Sequence, residues 1–257
     1  MVITLGRIIS VANQKGGVGK TTTTINLSAY LAAAGKRVLA IDADPQGNTT
    51  SGLGIDKHSL EKSFYDLLMQ HYRIDEVTKE TAFPNLYILP SNVELSGAEI
   101  ELVGHEKREY ILKKILSDVK YLYDFIIIDC PPSLNILTIN ALTASDTVLV
   151  PIQCEYFALE GLSQLMHTID LVRNRLNPLL DLEGVVFTMY DARTNLSLEV
   201  IEEVKKHISK NIYRTIVPRN VRLSEAPSHG LPISVYDPKS KGAESYAQLA
   251  EEVIARL

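Results

Sequence analysis

The chain has 257 residues, 46% of them hydrophobic and 22% charged, and a net charge of −5, which is typical of a globular protein with no overall attraction to DNA or acidic membranes. It shows no signal-peptide pattern, and its longest apolar runs are far shorter than the ~20 residues of a membrane helix. Cys130 and Cys154 are too few for a disulfide framework, so we expect two buried reduced thiols. Together these features predict a cytoplasmic protein with one domain, residues 1–257.

Short apolar runs alternate with helical patterns along the chain. Several runs are continuously apolar, as in strands whose two faces are both covered by helices. Helical patterns span Thr21–Ala34 and Leu196–Lys210, and helices are also expected at one sheet edge within Ile55–Glu106. The alternation predicts an α/β fold with one doubly wound, mainly parallel sheet and helices on both faces. The predicted strands are Ile8–Ala12, Val38–Asp42, Leu86–Pro90, Phe125–Asp129, Thr147–Ile152, Gly184–Met189 and Ile212–Val217.

The strongest motif is a glycine-rich loop between the first predicted strand and the first predicted helix. Glycines let backbone N–H groups surround phosphate oxygens, and the helix that follows directs its positive end at the same anion. Lys20 is predicted to reach the β- and γ-phosphates and the Thr21 hydroxyl to bind Mg²⁺. Gln14 replaces the first glycine of the ordinary pattern, and Lys15 is an additional lysine, so the loop is of the deviant Walker A type. The predicted phosphate-binding residues are Lys15, Gly16, Gly17, Val18, Gly19, Lys20, Thr21 and Thr22.

Aspartates follow two other predicted strands, where loops meet at the carboxyl edge of a parallel sheet. Asp129 ends the run before Pro131-Pro132 and is predicted to hold Mg²⁺ through water. Asp42 and Asp44 end the second run. Asp44 is predicted to position the attacking water or to join the metal shell.

Five segments together resemble the ParA/Soj family of chromosome-partitioning ATPases. They are KGGVGKTT at 15–22, DADPQGN at 42–48, IIIDCPPS at 126–133, PIQCEYFALEG at 151–161 and PRNVRLSEAPSHG at 218–230. The resemblance spans nearly the whole chain and implies a slow ATPase that uses ATP and Mg²⁺ and forms a homodimer on binding ATP.

The resemblance also implies roles for individual residues. Lys15 would reach the phosphates of the partner subunit and act in catalysis with Lys20 and Asp44. Gly16 would lie where the two phosphate loops come close. Pro218 and Asn220 match the part of the family that contacts adenine and are candidate base contacts; the alternative is that they merely shape a turn.

Family members bind non-specific double-stranded DNA as ATP dimers, and a basic segment is compatible with this. Residues 205–241 hold eight lysines and arginines against two acids, a net of +6 within a chain of −5, which suits phosphate contacts. The resemblance further implies a nucleoid-associated protein whose hydrolysis is stimulated by DNA and by a ParB-type centromere-binding protein. The candidate DNA contacts are Arg193, Arg222, Arg219, Lys205 and Lys206.

Three alternatives remain open at this stage. A MinD-like membrane-cycling ATPase shares the loop, but it requires a basic amphipathic C-terminal helix, whereas residues 250–257 are acidic without a basic extension. A relative of the nitrogenase iron protein would need two cysteines placed to bind a shared iron–sulfur cluster. A non-catalytic, nucleotide-gated scaffold would share the same motifs and differ only in turnover.

Overall fold

The computed structural model describes residues 6–156, 158–208 and 211–256, which alternate between strands and helices. The strands are β1 (Arg7–Val11), β2 (Val38–Asp42), β3 (Lys79–Glu80), β4 (Leu86–Leu89), β5 (Phe125–Asp129), β6 (Thr147–Gln153), β7 (Asp181–Tyr190) and β8 (Ile212–Pro218). The helices are α1 (Lys20–Ala33), α2 (Asn48–Gly52), α3 (Phe64–Leu68), α4 (Ile74–Val77), α5 (Leu95–Glu101), α6 (Ile111–Ser117), α7 (Ile136–Ala144), α8 (Ala158–Arg175), α9 (Asn195–His207), α10 (Val221–Glu225), α11 (Ile233–Tyr236) and α12 (Lys241–Ile254).

The strands form one sheet in the order β3-β4-β2-β5-β1-β6-β7-β8. Every neighbouring pair is parallel except β3 and β4 at one edge. After β1, the chain forms β2 to β5 on one side of β1. It then forms β6, β7 and β8 on the other side. The loops after the central strands therefore meet at the carboxyl edge, near the position where ligands bind in doubly wound sheets.

Two apolar cores lie on opposite faces of this sheet. On one face, α1 and α12 pack residues such as Leu31 and Leu249 against the sheet. On the other, α3 and α5–α9 cover residues such as Ile126 and Val150. Residues of β5 are buried throughout, and they alternate between the two cores. The predicted doubly wound, mainly parallel sheet with helices on both faces is confirmed.

Some element boundaries differ from the predictions, and charged residues account for the clearest cases. β7 begins at Asp181 rather than Gly184 and includes Glu183, which is buried because Arg7 pairs with it at 2.7 Å. β3 was not predicted, because its two exposed charged residues carry no apolar signal and it exists by pairing with β4. The helix predicted over Leu196–Lys210 ends at His207, and residues 209–210 lie outside the described part of the chain.

A carboxylate from α12 satisfies two backbone amides of the edge strand β8. Glu252 accepts hydrogen bonds from the backbone amides of Arg214 and Thr215, at 3.0 and 2.9 Å, and from the Thr215 hydroxyl at 2.6 Å. These two amides lie where the register between β7 and β8 shifts, so they would otherwise need water as an acceptor. The side chain of Glu252 thus satisfies the irregular part of β8 from within the molecule.

Across residues 6–156, 158–208 and 211–256, no helix combines the length and the apolar character needed to cross a bilayer.

Candidate nucleotide site and basic surface

The loop between β1 and α1 has the open backbone that a phosphate site requires. Gly17 and Gly19 have φ values of 74° and 93°, a left-handed region that glycine adopts at little cost. Apart from the two neighbouring residues in the chain, a Cβ atom built on Gly16 or Gly17 would meet no heavy atom of the described residues within 4 Å. The packing of this subunit therefore does not require glycine at position 16, and the space beside it is open to a ligand or a second chain.

Side chains from neighbouring elements fix both ends of the loop. Asn13 donates through Nδ2 to the carbonyl oxygen of Pro151 at 2.7 Å, and its Oδ1 accepts from the Lys15 amide at 3.0 Å. Thr188 on β7 donates through its hydroxyl to the carbonyl oxygen of Val18 at 2.8 Å. The loop is thus anchored to the carboxyl ends of β6 and β7 before any ligand binds.

Both loop lysines interact within the subunit. Lys20, the first residue of α1, is 6% exposed, and its Nζ donates to the carbonyl oxygen of Lys15 at 3.0 Å. Burial lowers the pKa of Lys20, while the charges of Asp129 and Asp44 oppose that shift. Lys15 extends the other way, and its Nζ lies 2.6 Å from Oε2 of Glu155, just beyond β6. The structure therefore places Lys20 with the two aspartates and Lys15 apart from them.

Asp129 is the centre of a buried hydroxyl–carboxylate cluster. Its Oδ2 accepts hydrogen bonds from the hydroxyls of Thr21 at 2.8 Å and Thr49 at 2.7 Å. Its Oδ1 is buried and has no hydrogen-bond partner among the residues that the structure describes. Burial raises the pKa of Asp129, against the lowering effect of the two hydroxyls. Sequence reasoning identified Thr21 and Asp129 but missed Thr49, which lies 80 residues away in the chain.

The oxygens around Asp129 fit Mg²⁺ better than a softer metal. Mg²⁺ prefers oxygen ligands, keeps several waters and takes few ligands from the protein when substrate phosphates supply others. A buried carboxylate oxygen without a partner is unusual, and a water of a hydrated cation would satisfy it. Within the described residues, no three His, Cys, Asp or Glu side chains converge on a metal site. These residues therefore do not form a site in which protein side chains supply all the ligands of the metal.

The segment after β2 brings Asp44 to the same region. Asp42 lies beside Asp129 in the sheet register, and its Oδ2 accepts from the amide and the hydroxyl of Thr50, both at 2.7 Å. Burial, followed by the charge of Asp129, raises the pKa of Asp42. Asp44 is half-buried, and its Oδ1 accepts from the Gln46 amide at 2.9 Å. Asp44 thus shapes its own turn while its charge acts on Lys20 and Asp129.

A cleft beside the loop contains both predicted adenine contacts. Pro218 ends β8, and Asn220 caps α10 by accepting from the Arg222 amide at 2.8 Å. Met189 adopts a left-handed φ of 50°, which is uncommon outside glycine. The cleft is lined by Gly19, Thr22, Thr188, Met189, Val217, Pro218, Arg219, Asn220, Leu223, Ser224 and Tyr246. The cleft adjoins the phosphate loop, as a base pocket must, so turn formation and base contact are compatible roles for Asn220.

The candidate DNA contacts are exposed but do not form one patch. Arg219 donates its amide to the carbonyl oxygen of Tyr190, and both Arg193 and Arg219 lower the pKa of Asp191, so these two arginines share the carboxyl corner of β7 and β8. Lys205 and Lys206 lie in the last turn of α9, about 15 Å further along the helix axis from its first residue. These two lysines therefore lie toward the end of the sheet where β7 and β8 begin, away from Arg193 and Arg219.

Acidic neighbours already neutralise most of these basic residues. Arg193 pairs with Asp191 at 2.6 Å, and Arg222 pairs with Glu225 at 2.8 Å and Asp237 at 3.6 Å. Lys205, Lys206 and Lys241 pair with acids outside the basic segment, namely Glu202, Glu203 and Glu244. The +6 charge of residues 205–241 therefore overstates the positive potential of the folded surface.

Both cysteines are buried and free, as predicted. Burial raises the pKa of Cys130 to about 12 and that of Cys154 to about 11. A cluster shared between two subunits needs cysteines at the surface where the subunits meet, whereas the side chains of Cys130 and Cys154 are 1% and 6% exposed and belong to the apolar core. The arrangement gives no support to the iron–sulfur alternative.

Comparisons with known proteins agree with the fold and identify relatives of similar length. A family model described as an AAA domain matches residues 6–182. The chain is 60% identical to the sporulation initiation inhibitor protein Soj of Bacillus subtilis, covering 98% of this chain and 99% of that one. It is 54% identical to the chromosome partitioning protein ParA of Myxococcus xanthus, covering 98% and 89%.

Among solved structures, the chain resembles a protein of Mycobacterium smegmatis described as cobyrinic acid a,c-diamide synthase, with a bound ATP analogue and magnesium. The TM-score is 0.87, the identity is 38%, and the match covers 98% of this chain and 96% of that one.

Proposed function

Because the chain belongs to the ParA/Soj family of chromosome-partitioning ATPases, we propose that it binds ATP with Mg²⁺ at the loop of residues 15–22 and hydrolyses it slowly. The observation that carries this proposal is the cluster at Asp129. Two hydroxyls fix one carboxylate oxygen, and the other is buried beside Lys20 with no partner in the described part of the chain. The ATP analogue and magnesium in the similar M. smegmatis structure support the choice of ligands.

In this proposal each site residue has a distinct task. Gly16, Gly17, Val18, Gly19 and Thr22 offer backbone groups to the phosphates, Lys20 neutralises their charge, and Pro218 and Asn220 contact the base. Thr21 and Asp129 hold Mg²⁺, directly and through water, and Asp44 positions the attacking water at the edge of the metal shell. The metal would neutralise charge that develops on the phosphates.

We further propose that ATP joins two subunits face to face. Lys15 of each subunit would then reach the phosphates bound to the other, where a late positive charge favours phosphoryl transfer. The open space beside Gly16 supports this proposal, because it leaves room for a second chain to approach the loop closely.

The dimer is proposed to bind non-specific double-stranded DNA through Arg193, Arg219 and Arg222, with Lys205 and Lys206 as outlying contacts. Joining two weakly basic surfaces raises the affinity through effective concentration, so nucleotide would control DNA binding by controlling dimerisation. A nucleoid-associated protein of the cytoplasm would follow, working with a ParB-type partner that, like DNA, stimulates hydrolysis.

The decisive experiment measures DNA binding at one fixed low salt concentration with ATP, with ADP and without nucleotide. Tight binding is expected with ATP alone, and Lys20→Ala should abolish it together with ATP binding. Equal binding under all three conditions would contradict the nucleotide switch. Unchanged ATP affinity in Lys20→Ala would contradict the assignment of the phosphate loop.

A further inference from the structure

The ion pair between Lys15 and Glu155 joins two residues whose backbones are both fixed. The Lys15 amide donates to Asn13. Glu155 donates its amide to the carbonyl oxygen of Gln153 at 2.8 Å and accepts at its own carbonyl from the Ala158 amide at 3.0 Å. Its second carboxylate oxygen accepts from the Gln153 side-chain amide. The carboxylate is thus directed at the Lys15 ammonium before any partner arrives.

The contact cannot persist if Lys15 reaches a second subunit. The Lys15 ammonium lies 2.6 Å from the Glu155 carboxylate oxygen, so keeping this contact would place the carboxylate beside the triphosphate of the partner. The carboxylate would then repel the phosphates, because both are negatively charged. Lys15 must therefore exchange one anionic partner, Glu155, for another, the phosphates of the partner subunit.

We propose that Glu155 is a positioning residue that retains Lys15 within its own subunit and so restrains ATP-driven dimerisation. The inference rests on the proposed role of Lys15 across the dimer. Glu155 competes for the ammonium in the monomer, and its neutralisation shifts the equilibrium toward the dimer without changing the chemistry that follows.

The expected change in the dimer dissociation constant follows from the solvent exposure of the ion pair. The Lys15 and Glu155 side chains are 32% and 44% exposed, and pairs exposed to solvent change an equilibrium constant by a factor of roughly two to five. Because each dimer breaks two such pairs, Glu155→Gln should lower the dimer dissociation constant by about 4- to 25-fold. Salt screens exposed pairs, so the difference from the natural chain should shrink at high salt.

The experiment follows phosphate release per subunit over a range of protein concentrations, at saturating ATP and Mg²⁺ and at low and high salt. For Glu155→Gln the half-maximal protein concentration should fall and the plateau rate should stay the same. Sedimentation with ATP should give the same shift toward the dimer. Glu160→Gln is the matched control, because it removes one charge from an exposed position close by and should leave the half-maximal concentration unchanged.

Lys15→Ala separates the failure of this inference from failure of the proposed function. If Lys15→Ala dimerises and turns over normally, the cross-subunit role itself is wrong. If Lys15→Ala is impaired but Glu155→Gln matches Glu160→Gln, only the restraint is refuted. A higher half-maximal concentration or a lower plateau in Glu155→Gln would also overturn it, since Glu155 would then assist Lys15 in the dimer.

Discussion

Replacing Thr49 with valine tests whether the hydroxyl on α2 belongs to the metal site. Thr49 is fully buried, and its hydroxyl donates to Oδ2 of Asp129 at 2.7 Å. Valine keeps the shape and removes the donor, leaving that oxygen with Thr21 as its donor. We expect the Mg²⁺ concentration that half-saturates ATP binding to rise, because the ionised carboxylate is less stable and less firmly oriented.

The expected magnitude follows from the kind of bond that is lost. A hydrogen bond to a charged group contributes about 1.5–3 kcal/mol, and each 1.4 kcal/mol is a factor of about ten. Because the same hydrogen bond is present in the metal-free site, only part of this contribution appears in Mg²⁺ binding, and the Mg²⁺ requirement should increase by up to about 10-fold. Thr49→Ser keeps the donor and should stay close to the natural chain.

A fluorescent ATP analogue titrated with Mg²⁺ measures this requirement, and a parallel titration in EDTA measures metal-free affinity. The Thr49→Val effect should be confined to the Mg²⁺ series. If the variant is folded, as judged by its thermal midpoint, and its Mg²⁺ requirement is unchanged, Thr49 does not support the metal site. An equal loss in both series would indicate a general effect on the phosphate loop.

Three further outcomes are expected. Asp44→Ala should retain ATP and accumulate as a dimer in sizing chromatography, with hydrolysis about 10²–10⁴-fold slower; a persistent monomer would contradict its assigned role. Arg193→Ala and Arg222→Ala should each weaken binding equally for any DNA sequence and flatten the salt dependence by roughly one unit for each bound subunit. Burial raises the pKa of Asp42 and Asp129. Above pH ~4 the unfolded chain has released the protons of these two carboxyls, whereas the folded chain still binds them. The thermal midpoint of the nucleotide-free protein should therefore fall as pH rises from about 4 toward neutrality.

Matched variants sharpen two of these measurements. Arg73→Ala removes an arginine that is 82% exposed and paired with an acid two residues away, just as Arg193 is 86% exposed and paired with Asp191. It should leave DNA affinity and its salt slope unchanged. Asp42→Asn removes one of the two raised carboxyls and should reduce the decline of the thermal midpoint with pH; the same decline in this variant would place its origin elsewhere.

The sequence predicts those parts of the molecule that follow from local patterns. β2 and β5 are continuous apolar runs that end in aspartate, and both have the predicted bounds. The order of loop residues likewise brings Lys20 and Thr21 to the start of α1. Such features depend on periodicity and on glycine chemistry within a few residues.

Contacts between distant segments required the structure. Thr49 meets Asp129 because β2 and β5 are neighbours in the sheet, and Glu155 meets Lys15 because β6 lies beside β1. Neither pairing leaves a local signal. The charge of the basic segment was overestimated for the same reason. Counting charges along 205–241 omits the acids of α9 and α12 that form ion pairs with its lysines.

The carboxylate of Glu252 makes the last helix and the edge strand β8 depend on each other. This one side chain accepts both amide hydrogens at Arg214 and Thr215, in the part of β8 whose pairing with β7 is irregular. Backbone donors that lose their acceptor cost free energy, so β8 should become less ordered wherever α12 detaches. Because unprotected edge strands are templates for strand addition between molecules, detachment of α12 should also favour aggregation.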